Sequence, residues 1–305
     1  MKRMIKMLAA AVIALSAAGC SDAVASLKEK NDKVITIGNH TVTKGDLYAN
    51  LRDTYGGDVA IDKAKRRIAS QEVETTDEIK NKAQEYVDSM KKYYGDDFES
   101  VMAESGGSEE EMLNTYIETL KVEKLTSTYI EDNFDLVCEK YKPVKAIVLT
   151  FTDLNNAAYC QRALSTKVLT VEEAAKEYGA GSSSQAQFFT IDSTTYDAEA
   201  RSIIMSNTPE DDWALTSSLD GNTHYVIHVE SNTPSEFKDD VVQQMTINGS
   251  VEEDCTKYYF ANHNFHVYDK FIFDQIQENA SYALVQVPAP AEETAEPAPT
   301  EAAGN

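Results

Sequence analysis

The stretch YKPVKAIVLTF, residues 141–151, decides how this chain is organised. After Pro143 it runs through eight mostly apolar residues, and such a run beside a chain-breaking proline predicts a buried strand. Patterns typical of helices precede Pro143 and return after Pro234, whereas short strands and helices alternate between these two prolines. We therefore interpret residues 143–234 as a domain inserted into a mostly helical body.

The inserted domain has the pattern of a small α+β unit around a mostly antiparallel sheet. Its last two strands are expected to be joined through Asp220-Gly221, a pair of residues that is common in turns. The expected strands are 144–151, 187–191, 213–217 and 224–229, and the expected helices are 154–165, 171–179 and 197–205.

The helical body is predicted to contain both ends of the chain, residues 34–142 completed by residues 235–285. It opens with VITIGNHTVT, residues 34–43, whose two β-rich runs on either side of Gly38 predict a hairpin. The segment FHVYD, residues 265–269, alternates in the manner of a strand, and we expect it to join that hairpin. The predicted fold class is therefore α+β, with a mostly helical body and a small inserted domain.

Three helix starts in this body have the spacing of a capping box, in which a hydroxyl residue is followed three residues later by an acid. The helix after the third box also has apolar residues at helical spacing, which is most simply a core-facing stripe. The three pairs are Thr43 with Asp46, Thr75 with Glu78, and Ser108 with Glu111.

The N-terminal sequence is typical of a bacterial lipoprotein signal. Three basic residues are followed by an apolar stretch, residues 7–18, which is shorter than the ~20 residues that cross a membrane. We expect residues 1–19 to be removed and the Cys20 thiol to carry lipid, which would anchor the protein outside the cytoplasmic membrane. Residues 20–33 would then form a tether. The alternative is an ordinary cleaved signal with a coincidental cysteine.

Charge and composition narrow the possible partners. The net charge is −23, and it becomes −26 without residues 1–19, which hold three basic residues and no acid. A nucleic acid is therefore an improbable partner, since binding it requires a basic surface. The tail, residues 286–305, is rich in Pro, Ala and Glu and is expected to be disordered.

Neither the cysteines nor the histidines predict a metal site or another cofactor. The cysteines after Cys20 lack CxxC spacing, and two histidines four residues apart on one strand would lie about 13 Å from each other. We favour structural or surface roles for all of these side chains. They are Cys138, Cys160, Cys255, His224, His228, His263 and His266.

The order of these segments resembles the PrsA- and SurA-type extracytoplasmic foldases. In that family a helical chaperone region surrounds a parvulin-type prolyl isomerase domain, and a C-terminal helix returns to the first region. The resemblance covers nearly all of the chain between the signal and the tail. It is carried by ITIGNHTVTKGDLY, TTDEI (75–79), YGDDFESVMAESGGSEEEM (94–112), YKPVKAIVL (141–149), VEEAAKEYG and HYVIHV.

The catalytic pattern of the family is missing. Active parvulins carry one histidine in the first strand of the domain and another in the last, and these positions fall near Val148 and on Tyr225. A one-residue slip would place the second position on His224. The family's Gly-Gly after the second helix is replaced by AGSSSQAQ, residues 180–187. We predict no catalytic residue in this domain, because isomerisation requires a shaped and partly desolvated pocket.

These observations predict a membrane-anchored chaperone that assists the folding of secreted proteins. The resemblance implies unfolded secreted polypeptides as partners, held on exposed apolar and aromatic surface. Residue type alone makes Tyr48, Tyr55, Tyr93 and Tyr94 candidates for that surface. Two alternatives stay open: an active peptidyl-prolyl isomerase and a solute-binding lipoprotein.

Overall fold

The structure, a computed structural model, describes residues 27–104 and 107–285. The predicted α+β class is confirmed, since helices predominate and the larger sheet has four antiparallel strands. The strands are β1 Lys33–Ile37, β2 His40–Thr43, β3 Val144–Phe151, β4 Gln187–Phe189, β5 Ala214–Ser217 and β6 His224–Ser231. The helices are α1 Lys44–Glu72, α2 Asp77–Tyr94, α3 Phe98–Glu104, α4 Glu109–Asp132, α5 Phe134–Tyr141, α6 Leu154–Ser165, α7 Val171–Tyr178, α8 Ala198–Ser206, α9 Lys238–Thr246, α10 Gly249–Asn262 and α11 Lys270–Asn279.

The chain divides into two compact units. The first, which we call the end unit, combines the residues up to 65 with those from 256 onward, so the two ends of the chain share one unit. The second, the central unit, contains residues 66–255. The predicted domain boundaries, between residues 142 and 143 and between residues 234 and 235, stay a prediction. The end unit and the central unit meet at other positions in the chain.

A hairpin opens the end unit, as the sequence predicts. Strands β1 and β2 are antiparallel, Ile37 faces His40 across the turn, and Gly38 has a positive φ of 58° that favours glycine. The carboxylate of Asp46 accepts hydrogen bonds from the backbone and the hydroxyl of Thr43, each at 2.8 Å, which also lowers the pKa of Asp46. This capping contact ends the hairpin and begins α1.

The expected third strand of this hairpin is wrong. In the described part of the end unit the sheet has two strands, and residues 265–269 form no strand. The carboxylate of Asp269 instead accepts hydrogen bonds from the backbone of Phe271 at 3.0 Å and of Ile272 at 3.3 Å. The segment is therefore an extended stretch that ends in Asp269, the N-cap of α11. Its side chains alternate as those of a short strand do.

The sheet of the central unit has the strand order β4-β3-β6-β5, with every pair antiparallel. One face packs under α8, where Ala146, Val148 and Ile227 form a core with Ala200 and Ile204. The opposite face packs under α6 and α7 in a second core. All the helices and strands expected in the inserted domain are present, with ends that differ by a few residues. Two buried faces explain the nearly continuous apolar run of β3.

Two of the three predicted capping boxes begin helices where expected. Ser108 caps α4, where its hydroxyl accepts a hydrogen bond from the backbone of Glu111 at 3.2 Å. The box predicted at Thr75 is displaced by one residue, because Thr76 accepts the bond from the backbone of Ile79 instead. Either threonine could supply the hydroxyl, and this choice places two acids in the first turn of α2.

The helix before Pro143 is tied to α10 by a buried tyrosine. The hydroxyl of Tyr141 donates a hydrogen bond to Asp254 Oδ2 at 2.7 Å, and Lys140 Nζ lies 2.5 Å from the same oxygen. Burial and the neighbouring carboxylate raise the pKa of Tyr141 well above its usual value. Within the central unit, this contact joins the chain before Pro143 to the chain after Pro234. In the described ranges no helix is both long and apolar enough for a membrane crossing.

Candidate functional site

An apolar stripe runs along the solvent-facing side of α1 in the end unit. Its residues recur every four positions, which places them on one face of a helix. Each of these side chains is between two-fifths and three-fifths exposed: Leu47 43%, Leu51 49%, Tyr55 55% and Val59 52%. A contiguous exposed apolar surface of this kind is a candidate interaction surface.

The stripe forms one wall of a groove between α1 and α11. The groove has a volume of about 530 Å³, and its lining is mostly apolar. Ile272 of α11 contributes the opposite wall. The remaining lining residues belong to α1: Tyr48, Leu51, Arg52, Tyr55, Gly56, Val59, Ala60 and Lys63.

Two glycines allow α11 to approach α1 closely enough to form this groove. A Cβ on Gly56 would lie 3.0 Å from Cγ1 of Ile272, and one on Gly57 would lie 3.2 Å from Cβ of Gln275. The Gln275 side chain accepts a hydrogen bond from the backbone of Gly57 and donates one to the carbonyl of Arg52, both at 2.8 Å. Glycine therefore serves here as a packing residue within a long helix.

Two charged residues, Arg52 and Lys63, line the groove, and Arg52 is buried. The Arg52 guanidinium lies 3.7 Å from the centre of the Phe271 ring, and its Nη2 is 2.7 Å from Asp53 Oδ1. Its long stem adds apolar surface while its charge is paired. Lys63 lies at the C-terminal end of the α1 wall. The floor can therefore accept apolar side chains without burying an unpaired charge.

The four tyrosines singled out from the sequence are divided by the structure. Tyr48 and Tyr55 both line the groove. Tyr93 and Tyr94 instead stand at the end of α2 in the central unit, where their rings contact each other edge to face. The sequence reasoning missed Val59 and Ile272. The four-residue repeat through Val59 could have revealed the first, but the packing of α11 has no comparable sequence pattern.

The positions that correspond to the parvulin histidines lie on the face of the sheet beneath α8. Val148 is completely buried, and Tyr225 is 5% exposed in the same apolar core. The Tyr225 hydroxyl donates a hydrogen bond to Asp197 Oδ2 at 2.7 Å, and its ring packs edge to face against Tyr196. Burial and Asp197 raise the pKa of Tyr225 to about 12. Side chains therefore fill the space above this part of the sheet.

A one-residue slip of the alignment would move the second position to the other face of the sheet. Side chains alternate along a strand, so His224 lies on the side of Val226, opposite Tyr225. Its Nδ1 lies 2.7 Å from Ser217 Oγ, and the residue is buried. His224 and Val148 thus lie on opposite faces of the sheet.

The segment that replaces the family's Gly-Gly closes against β3. The Ser182 hydroxyl donates a hydrogen bond to the Val148 carbonyl at 2.7 Å and accepts one from the backbone of Thr150 at 3.0 Å. The backbone of Gly181 donates to the Thr150 carbonyl at 2.8 Å. The Ser182 side chain therefore supplies hydrogen-bond partners to the backbone of β3 at the edge that the short strand β4 does not cover.

The other histidines and cysteines that could bind a metal ion do not lie together in the described part of the chain. His228 stacks on Trp213 with ring centres 5.0 Å apart, and His266 contacts Tyr268. Burial raises the pKa of the Cys138 and Cys160 thiols to about 11, which makes both poor nucleophiles. Among the residues that the structure describes, no group of three His, Cys, Asp or Glu side chains could hold a metal ion. Cys20, the signal segment and the predicted disordered tail lie outside the described residues.

Comparison with known proteins supplies one sequence relative. Foldase protein PrsA 2 of Bacillus anthracis is 27% identical to this chain over 152 residues, which are 49% of this chain and 51% of the relative. The match thus spans about half the length of that relative. No protein-family profile matches the chain.

Several solved structures align with most of the chain at low similarity. A PrsA peptidylprolyl isomerase of Bacillus cereus is 16% identical over 82% of this chain and 98% of its own, with a TM-score of 0.43. The PrsA foldase of Streptococcus pneumoniae is 12% identical over 81% and 99%, with a TM-score of 0.38. Such scores by themselves assign neither fold nor function. The sequence match confirms the resemblance predicted above: about half of this chain is similar in sequence to a PrsA foldase.

Proposed function

We propose that this protein is an extracytoplasmic chaperone that holds unfolded secreted polypeptides in the groove between α1 and α11. The observation that carries the proposal is the exposed apolar wall of Leu51, Tyr55 and Val59 in a chain similar in sequence to a foldase. Extended segments of an unfolded chain expose apolar side chains that fit such a groove without a fixed sequence.

The overall charge specifies the preferred client further. A net charge of −23 attracts basic polypeptides and repels acidic ones at low ionic strength. We therefore propose that the groove binds an extended, apolar segment of an unfolded chain with net positive charge. Raising the salt concentration should slow capture of such a client more than it slows capture of a neutral one.

We further propose that the parvulin-like domain does not catalyse prolyl isomerisation. Val148 and Tyr225 occupy the positions of the family's histidines, and both are packed in a core beneath α8. A proline ring and its twisted amide would need that space. The domain would then serve as a binding or spacing module.

Two assays on the purified full chain test these proposals together. We expect the protein to slow the aggregation of an unfolded, basic client and to leave the cis/trans exchange of a proline tetrapeptide at its uncatalysed time of ~10–100 s. Strong acceleration of that exchange would establish the isomerase alternative. Failure to slow aggregation at several clients and salt concentrations would remove the chaperone proposal.

Anchoring is a separate part of the proposal and has its own test. Two acyl chains on Cys20 would hold the protein stably at a membrane, whereas a single chain binds only marginally. We expect Cys20→Ser to abolish metabolic labelling with palmitate and to leave the precursor unprocessed or release the protein. Cys138→Ser is the matched control, because it removes a thiol and leaves the signal intact. Undiminished labelling of the Cys20→Ser protein would contradict lipid attachment at this residue.

A further inference from the structure

A second groove lies in the central unit between α2, α3 and α4. It has a volume of about 430 Å³. Its floor contains the rings of Tyr86 and Tyr116, which stack with their centres 4.0 Å apart and their planes inclined by 9°. Met102 and Met112 lie at its sides. Stacked aromatic rings and methionines together offer a surface that adapts to different apolar side chains.

The packing of α2 against α4 does not depend on these side chains alone. Ile79, Ala83 and Val87 of α2 are buried, as are Leu120 and Leu125 of α4. The groove residues Tyr86, Met102, Met112 and Tyr116 are instead each partly exposed. The groove thus leaves apolar surface in contact with water beside a complete helix interface, which is the usual condition of a binding surface.

The surroundings of this groove carry an unusual excess of acid. Residues 95–118 contain eight acidic and no basic side chains. Glu111 lines the groove, and its carboxylate accepts a hydrogen bond from the Ser108 hydroxyl at 3.0 Å. Glu109 is paired with Lys91 at 2.6 Å. Glu111 therefore places a negative charge at one end of the groove, within this acid-rich stretch of the chain.

The opposite end carries a positive group. Arg66 Nη1 lies 3.3 Å from Thr119 Oγ1, and Thr119 lines the groove at the end away from Glu111. A bound segment would place its cation at the Glu111 end.

We infer that this groove binds polypeptide segments in which an aromatic or long aliphatic side chain adjoins a lysine or arginine. The apolar side chain would enter between Met102 and Met112 onto the stacked tyrosines, and the cation would face Glu111, which Glu110 adjoins in the first turn of α4. This inference rests on the proposed function, because it presumes that the protein binds unfolded chains. It adds a second contact surface, selective for charge, to the apolar groove of the end unit.

Binding of three fluorescent peptides to the full chain tests the inference. The first contains phenylalanines flanked by lysines, the second replaces the lysines with glutamates, and the third replaces the phenylalanines with serines. We expect the first peptide to bind best, with Kd values about tenfold higher for each of the other two. Equal binding of the lysine and glutamate peptides would overturn the inference.

The double substitution Glu110→Gln and Glu111→Gln locates the effect. Glutamine preserves the capping position at the start of α4 while removing two charges. We expect the Kd of the lysine peptide to rise about threefold or more, whereas the Kd of the glutamate peptide should not rise. Glu123→Gln, an exposed substitution further along the same helix, is the matched control and should have a smaller effect.

The outcomes separate this inference from the proposed function. If no peptide binds and no client aggregation is slowed, the proposed function fails. If clients are still held but the double substitution changes peptide binding no more than Glu123→Gln does, only this second groove is contradicted. Loss of the lysine preference in the double variant alone would establish it.

Discussion

The groove of the end unit and the sheet face beneath α8 are both built from valines, isoleucines and tyrosines, but they use them in opposite ways. Val59 and Tyr55 in the groove are about half exposed, whereas Val148 and Tyr225 in the sheet are buried. The residues of the groove thus remain available to a partner, and those of the sheet stabilise the fold. Our proposal of polypeptide binding without catalysis requires this difference between the two regions.

Replacing a valine with alanine in each region should give the largest difference, measured as the change in the free energy of unfolding. Val148→Ala removes two buried methyl groups, and we expect the free energy of unfolding to fall by about 2.5 kcal/mol. Val59→Ala removes half-exposed atoms and should change it by less than about 0.5 kcal/mol. Urea denaturation of both variants provides the measurement. Equal losses would mean that the two surfaces do not differ as described.

A substitution at the glycine pair tests how the groove is built. Gly57→Val places atoms where Gln275 and Ile276 approach α1, and we expect a loss of about 2 kcal/mol together with faster amide exchange in α11. Gly249→Val is the matched control, because a Cβ there meets no atom within 4 Å. Unchanged exchange in α11 after Gly57→Val would show that its contact with α1 is not fixed by this close approach.

The smallest expected effect concerns the hydrogen bond that occupies the sheet face. Tyr225→Phe removes the donor to Asp197, and we expect a loss of about 1 kcal/mol at neutral pH. The pKa of Tyr225 is about 12 in the folded protein, above the model-peptide value of ~10, so this contribution is complete below pH 10 and is lost as pH rises towards 12.

Unfolding measured from pH 8 to pH 12 should therefore show the wild type and Tyr225→Phe converging in the alkaline range. Tyr93→Phe, at an exposed tyrosine, should follow the wild type throughout. A difference between wild type and Tyr225→Phe that stays constant up to pH 12 would contradict the raised pKa.

Local patterns in the sequence predicted most elements of the fold. The hairpin at Gly38, the strand after Pro143 and the turn at Asp220-Gly221 each depend on residues close in the chain, and each is present. The strand predicted at residues 265–269 was wrong. The extended residues before an N-cap and a short strand have the same alternation of side chains over five residues. Only the hydrogen bonds of Asp269 distinguish them.

The candidate site was predictable in part. Residue type alone indicated Tyr48 and Tyr55, and the family pattern indicated Val148 and Tyr225. The groove itself depends on Gly56 and Gly57 meeting Ile272 and Gln275, over 200 residues later in the chain. Such a contact leaves no periodic pattern in either segment, so the structure was needed to find it.

Aggregation of an unfolded, basic client in the presence of groove variants tests the central claim most directly. Tyr55→Ser combined with Val59→Ser makes the α1 wall polar, and Tyr93→Ser removes an exposed tyrosine elsewhere. We predict that the double variant, folded as stably as the wild type, needs a concentration about tenfold higher to suppress aggregation equally, while Tyr93→Ser matches the wild type. Full suppression by the double variant at the wild-type concentration would contradict the account.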